Sequence, residues 1–287
     1  RLIQNSIQYT NKLSFLQRII TFSCFSIMYH LSSKIIDLSD DYSSTERIPL
    51  VFDANTGNES LRVASQESLL LARLNIESYY EKVVEGILIS RGGLVTKEDV
   101  LSDSESFSFK ASPRKNIKKV EVDPHEEMKN LFLGYFNQTQ NLLESYARSI
   151  RIMMFSRVIN SADPAMSYTA LGGKIGLVYG RTKKRFSPNP NILEIIILSV
   201  LEEGEMLTLS EFGIRIWENF GIIIGANPEE DVLRLKKWGI SEHVPGDLYS
   251  ALALNADALS ETYISMRYAK RYADGVIIFS LNNRKEV

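Results

Sequence analysis

Residues 172–186 read GGKIGLVYGRTKKRF, and the 53 residues that follow carry the rest of the decision: NILEIIILSVLEEG (191–204), TLSEFGIRIWENFG (208–221) and NPEEDVLRLKKWG (227–239). The first piece alternates loosely from Lys174 to Tyr179, turns at Gly180 and returns from Lys183 to Phe186, the pattern of a short hairpin. Arg181, Lys183, Lys184 and Arg185 place four cations within five positions of that turn, a concentration suited to phosphate contact. Alternation along the return strand puts Lys183 and Arg185 on one face and Lys184 on the other.

Three short helices follow. Ile192 to Leu201 is apolar on nearly every side, as in a buried helix. Thr208 with Glu211 three residues later forms a capping-box signature. Leu209, Phe212, Ile216 and Phe220 then supply one buried stripe, and Gly221 closes the helix. Asn227-Pro228-Glu229-Glu230 repeats the start logic, with Asn as cap and Pro at the first helical position. Val232, Leu235 and Trp238 share a side of this third helix. The IIIG of residues 222–225 is an apolar link.

Outward toward the C-terminus, Asp247 starts a helical pattern running to Tyr272, with Leu248, Leu252, Leu259, Tyr263 and Met266 as core positions and Asn255-Ala256-Asp257 as an interruption. Arg267, Lys270 and Arg271 form a second basic cluster interleaved with Tyr268 and Tyr272, an arrangement in which aromatics can stack on bases. Asp274-Gly275 turns into VIIFSL, a closing strand expected beside IGLVY of the first hairpin.

Toward the N-terminus, Leu2 to Ile36 has helical periodicity, and residues 48–54, IPLVFDA, form a short buried strand or extended segment. A second helical region runs from about Glu59 to Leu88 and ends at Arg91-Gly92-Gly93. Residues 101–122 shift to Ser and Lys, including Lys110, Arg114, Lys115, Lys118 and Lys119, and read as a polar, basic loop. Asp123, Pro124 and Glu126 mark a helix start. The apolar stripe from Met128 through Thr139 to Val158 is compatible with one helix of more than thirty residues, ended by Asn160 to Pro164.

The resulting expectation is a mainly α (α+β) chain: a helical bundle-like domain over residues 1–165 and a second domain over 166–287. Three short helices beside a basic hairpin loosely resemble winged-helix modules, including those of bacterial DNA-processing and anti-phage defence assemblies. The resemblance covers the C-terminal third and implies a DNA-contacting or protein-docking module. In a helix-turn-helix reading, the third helix would present its N-terminal residues to bases. Here those are Glu229, Glu230 and Asp231, which oppose contact with phosphates.

Composition narrows the function classes. With 287 residues, 44% apolar, 24% charged and a formal net charge of −2, the chain is ordinary globular material. Any nucleic-acid surface must therefore be local. The single cysteine, Cys24, excludes an intrachain disulfide and a multi-thiolate zinc site, and fits a cytoplasmic protein. The most apolar run, residues 19–31, falls short of the roughly 20 residues that span a bilayer, so no membrane is expected. The chain begins at Arg1, which leaves a fragment, a processed chain and a chain with missing residues all open.

His30, His125 and His243 lie far apart, and Asp37, Asp40 and Asp41 read as a polar loop. No phosphate-binding loop, dinucleotide fingerprint or nucleophile elbow is present. No catalytic residue, metal site or cofactor is assigned. The expected nucleic-acid contacts are Arg181, Lys183, Lys184, Arg185, Arg267, Lys270 and Arg271. The favoured function is a non-enzymatic accessory subunit that docks partner proteins of a larger assembly and touches DNA through backbone phosphates. A pure protein-interaction scaffold is the alternative, and a metal-dependent hydrolase using scattered carboxylates comes third.

Overall fold

The computed structural model describes residues 1–7, 11–33, 47–106, 123–155 and 164–281. The described residues are mainly helical and form three small sheets. The elements are α1 (Leu2–Ile7), α2 (Lys12–Ser33), β1 (Leu50–Val51), α3 (Glu59–Arg91), α4 (Lys97–Glu105), α5 (Pro124–Thr139), α6 (Leu142–Phe155) and α7 (Pro164–Ile175). They continue as β2 (Val178–Tyr179), β3 (Arg185–Phe186), α8 (Pro190–Val200), β4 (Met206–Thr208), α9 (Leu209–Phe220), β5 (Ile222–Ile223), α10 (Pro228–Lys237), α11 (Leu248–Ser265), β6 (Ala269–Arg271) and β7 (Ile277–Ser280). No described helix is long and apolar enough to cross a membrane.

The chain forms two compact units, Arg1–Arg73 with Tyr168–Val287, and Leu74–Ser167. This grouping differs from the 1–165 and 166–287 division expected from sequence, because the N-terminal elements pack on the C-terminal ones. Asn5 Nδ2, on α1, donates to Leu198 O and Leu201 O at 2.9 Å each. Arg18, on α2, makes a two-pronged pair with Glu194 of α8, at 3.0 and 2.7 Å.

At the centre of the larger unit lies the segment Pro49–Asn55, most of which falls in the stretch 48–54 that the sequence marked as a short buried strand or extended segment. Its strand β1 pairs in parallel with β5, Leu50 opposite Ile222 and Val51 opposite Ile223, so the expected apolar link is itself a strand. Such a short ladder leaves polar backbone groups to be paired by other means, since buried unpaired ones are costly. Side chains complete the set. Ser68 Oγ donates to Pro49 O at 2.6 Å, and Ser65 Oγ lies 2.8 Å from Val51 O and 3.0 Å from Phe186 O. Asn255 has no solvent exposure. Its Nδ2 donates to Phe52 O (2.7 Å) and Ile224 O (2.9 Å), and its Oδ1 accepts from Ala54 N (2.9 Å). Asn255 therefore does not interrupt α11; it uses both amide hydrogens and its oxygen to bind two crossing backbones. Gly225 allows that approach: its φ is +89°, and a Cβ there would meet the Leu252 backbone oxygen at 2.0 Å.

The apolar core here joins Val51, Leu61, Ala64, Ile223, Leu235, Leu248 and Leu252. A second layer is aromatic. Phe212 stacks on Phe279 with centroids 4.4 Å apart, and Tyr263 meets both edge-on at 5.4 Å. That stack seats a three-stranded antiparallel sheet in the order β4-β7-β6. The closing strand β7 thus pairs with β4 and β6, not with the IGLVY strand. The Tyr272–Val276 turn returns the chain directly alongside β6, with Tyr272 N donating to Val276 O at 2.9 Å.

The smaller unit is helical. Leu88, Val100, Met128, Phe132, Tyr146, Ala147, Ile150 and Met153 form its core. Helix α4 occupies the start of the expected 101–122 loop and is fixed by a capping box between Thr96 and Asp99; the remaining basic residues, Lys110 to Lys119, lie outside the described residues. The single long helix expected from Asp123 is instead two, α5 and α6. Gln140 adopts a left-handed conformation (φ +56°), and Asn141 Oδ1 accepts from Glu144 N at 3.2 Å to start α6. Five consecutive polar residues, Asn137 to Asn141, offer no apolar side chain to carry the stripe across the break. Asp123 caps α5 as expected, accepting from His125 N, with Pro124 in the first turn.

Candidate nucleic-acid interface

The basic hairpin is β2 and β3, antiparallel, with Val178 opposite Phe186 and Tyr179 opposite Arg185. Its first strand is shorter than the expected 174–179, because α7 continues to Ile175. Gly180 makes the turn possible. Its φ is +105°, and a Cβ would lie 2.6 Å from Lys183 O, so any other residue would strain the tip.

Beneath the turn the hairpin is tied to the central segment. Phe186 is fully buried, and its carbonyl accepts from Asp53 N at 2.9 Å. Arg185 is 8% exposed. Its Nε donates to Asp53 Oδ2 at 2.5 Å and a terminal nitrogen donates to Asn55 Oδ1 at 2.6 Å. Asp53 Oδ1 in turn accepts from Asn55 N at 2.7 Å, while Ser187 Oγ donates to Asp53 O at 2.8 Å. Arg185 therefore leaves the expected set of tip cations. Its planar fork finds a carboxylate and an amide oxygen 132 and 130 residues earlier, and its charge is spent on them.

Arg181, Lys183 and Lys184 are exposed at the tip and make no ion pair among the described residues. Glu59, at the start of α3, has its carboxyl held below the ordinary value, chiefly by a hydrogen bond from Arg62, with Lys183 a lesser contributor. Sequence reading missed Tyr179. It is 61% exposed, and one side of its ring faces the Arg185 guanidinium at 5.2 Å from the centroid. The signal available was its position, immediately before the turn glycine and within two residues of Arg181.

The second basic cluster is differently placed. Arg267 is exposed and left-handed (φ +64°). Arg271 pairs with Glu261 at 2.7 Å, both partners exposed. The Lys270 ammonium sits 5.5 Å from the Tyr272 centroid. Asp274 follows in the turn, where it accepts from Val276 N at 3.0 Å.

The acidic start of α10 divides as well. Glu229 and Glu230 are exposed, whereas Asp231 is 4% exposed and contacts Arg234 at 2.7 Å. Burial raises the Asp231 carboxyl pKa above its ordinary value, against the opposing pull of Arg234. Arg234 also lies over Trp217, 4.7 Å from its ring centroid. Asn227 makes no side-chain cap; its amide donates instead to Ser210 O at 3.1 Å.

Among the described residues no three His, Cys, Asp or Glu side chains gather into a metal-binding group. Asp37, Asp40 and Asp41 lie outside the described residues, as does the side chain of His243. Cys24 is partly buried on α2. No known protein family matches the chain, and no curated protein or solved structure is similar to it at a significant level.

Proposed function

We propose that this chain is a non-enzymatic accessory subunit that contacts DNA without sequence preference through the β2–β3 hairpin and docks a protein partner of a larger assembly. The observation that carries the reading is the division of labour within the hairpin. Arg185 holds it to the buried segment, and Arg181, Lys183 and Lys184 stand exposed at a tip where they make no ion pair among the described residues. Cations so placed bind phosphates by releasing counterions, irrespective of sequence.

A winged-helix arrangement for residues 190–280 is supported by element order. A helix (α8), a strand (β4), a helix (α9), a later helix (α11) and a strand-turn-strand (β6, β7) succeed one another, and the last strand lies between the other two. In this reading β5 and α10 are an insertion, the third helix is α11 and the wing is Tyr272–Val276. The exposed residues of α11 include Tyr249, Leu254, Asp257 and Glu261, and none is cationic. That face suits a protein partner better than a base edge.

Docking is also supported by α2. Leu13, Leu16, Ile20 and Ile27 are each more than half exposed, and their spacing of three, four and seven places them on one stripe. A setting in anti-phage defence rests on the sequence resemblance alone.

The test is a salt titration of binding to a labelled duplex by the intact chain. Binding at low salt that weakens steeply as salt rises is expected. Replacing Arg181, Lys183 and Lys184 with Ala should weaken binding and flatten the slope by about one unit per lost phosphate contact. No binding to any nucleic acid at low salt would leave the pure interaction scaffold as the surviving reading.

A further inference from the structure

We infer that the hairpin takes single-stranded nucleic acid, with one unpaired base stacked on Tyr179; this rests on the hairpin being the phosphate-contacting element. A tyrosine ring that is 61% exposed would ordinarily swing through several rotamers. Tyr179 is restrained on one side, because its cross-strand partner Arg185 lies against the ring at 5.2 Å from the centroid. Arg185 is itself immobilised by Asp53 and Asn55, at 2.5 and 2.6 Å. A buried, doubly hydrogen-bonded guanidinium thus lies over an aromatic ring that is mostly exposed to solvent.

A π-face held against a fixed guanidinium, at the base of a cationic tip, matches the two needs of a single strand. Its bases require flat apolar partners, and its phosphates require cations within a nucleotide's reach. Arg181 is two residues from Tyr179, within about 7 Å along the chain. Thr182, Lys183 and Lys184 continue the exposed tip. Duplex DNA keeps its bases stacked on one another and offers this ring a base only at an end. The same hairpin should therefore bind duplex through phosphates alone and gain an increment on an unpaired strand.

The experiment compares three labelled probes on the intact protein at low salt: a thymidine oligonucleotide, an abasic strand of the same length and charge, and a blunt duplex. The wild type should prefer the base-bearing strand over the abasic one by on the order of 5- to 100-fold, the range expected for one stacked base. Tyr179→Ala should abolish that preference while leaving abasic and duplex binding unchanged, and Tyr179→Trp should restore it. The exposed position makes misfolding of Y179A a minor concern, and a thermal melt matching the wild type checks it. If the wild type binds base-bearing and abasic strands equally, or if Y179A weakens both alike, stacking is overturned and the phosphate reading stands. If none of the three probes binds, both fall.

Discussion

The two hairpins of the larger unit look alike in sequence and differ in what lies beneath them. Each has a tight turn, a cluster of basic residues and a tyrosine beside a cation: Tyr179 with Arg185 in one, Tyr272 with Lys270 in the other. The β2–β3 hairpin is anchored by charge, through Arg185 on Asp53 and Asn55. The β6–β7 hairpin is anchored by aromatic packing, through Phe279 on Phe212 and Tyr263. Their tips differ in the opposite sense. The charge-anchored hairpin presents three cations that make no ion pair among the described residues, while the aromatic-anchored one has Arg271 matched by Glu261 and carries Asp274 in its turn. A run of basic residues therefore says little about surface charge until the fate of each residue is known.

This contrast can be broken from either side. The largest effect is expected from Phe279→Ala, which empties a fully buried site between two aromatic rings. A loss of about 3–5 kcal/mol in urea unfolding is expected from such a truncation. Asp53→Ala strands the Arg185 guanidinium in a buried setting and should cost a similar amount, about 3–5 kcal/mol. It should also loosen Tyr179 and so lower single-strand binding, which F279A should leave intact in the fraction that remains folded.

Alkaline pH tests the aromatic anchor in another way. Burial pushes the phenol of Tyr263 far above its ordinary value, and it does the same to Tyr168. The unfolded chain ionises these groups near pH 10 and the folded chain resists. Their contribution to stability is thus fully present below about pH 10 and is lost as pH rises beyond it. Thermal melts across that range should fall steeply, with the β6–β7 region giving way, and a flat profile would contradict this anchoring.

Next in size is the tip itself. Arg181→Ala with Lys183→Ala and Lys184→Ala should reduce DNA affinity by about 10-fold or more at low salt and leave the melting temperature unchanged. The matched triple change of Arg267, Lys270 and Arg271 should reduce it much less, because Arg271 is already paired. The smallest effect is Glu261→Ala, which frees Arg271 at a cost in stability of no more than about 1 kcal/mol. It should raise DNA binding slightly if the second tip is limited by its own carboxylates.

Much of the local structure was legible. Thr208 with Glu211, Asp123 with Pro124 and Asp247 each start a helix where the sequence places one. Asn227 occupies the expected cap position of α10 but makes no side-chain capping bond, because Ser210, seventeen residues earlier, takes its side chain. The joined α5 and α6 were misread for a different reason. Apolar spacing continues on both sides of Gln140, and periodicity alone does not register a reversal of direction.

The candidate site was half legible. Arg181, Lys183 and Lys184 are exposed around a turn that Gly180 permits, but Lys183 and Lys184 lie in the turn itself and not on the return strand, which begins only at Arg185. Tyr179 was overlooked because its value depends on a ring exposed to solvent and backed by a cation, and neither property is written in neighbouring residues.

By itself, then, the sequence determined the short-range structure: caps, turns and stripes, whose partners lie within four residues and whose energies are set by local geometry. Tertiary structure decided everything that depends on a distant partner. It buried Arg185 against Asp53 across 132 residues and bound Asn255 to Phe52 across 203. It also set β7 between β4 and β6. A guanidinium or an amide has the same sequence neighbours whether it faces water or a carboxylate. Only the path of the chain chooses between them, and that choice separates the anchoring cation of the hairpin from the cations left at its tip.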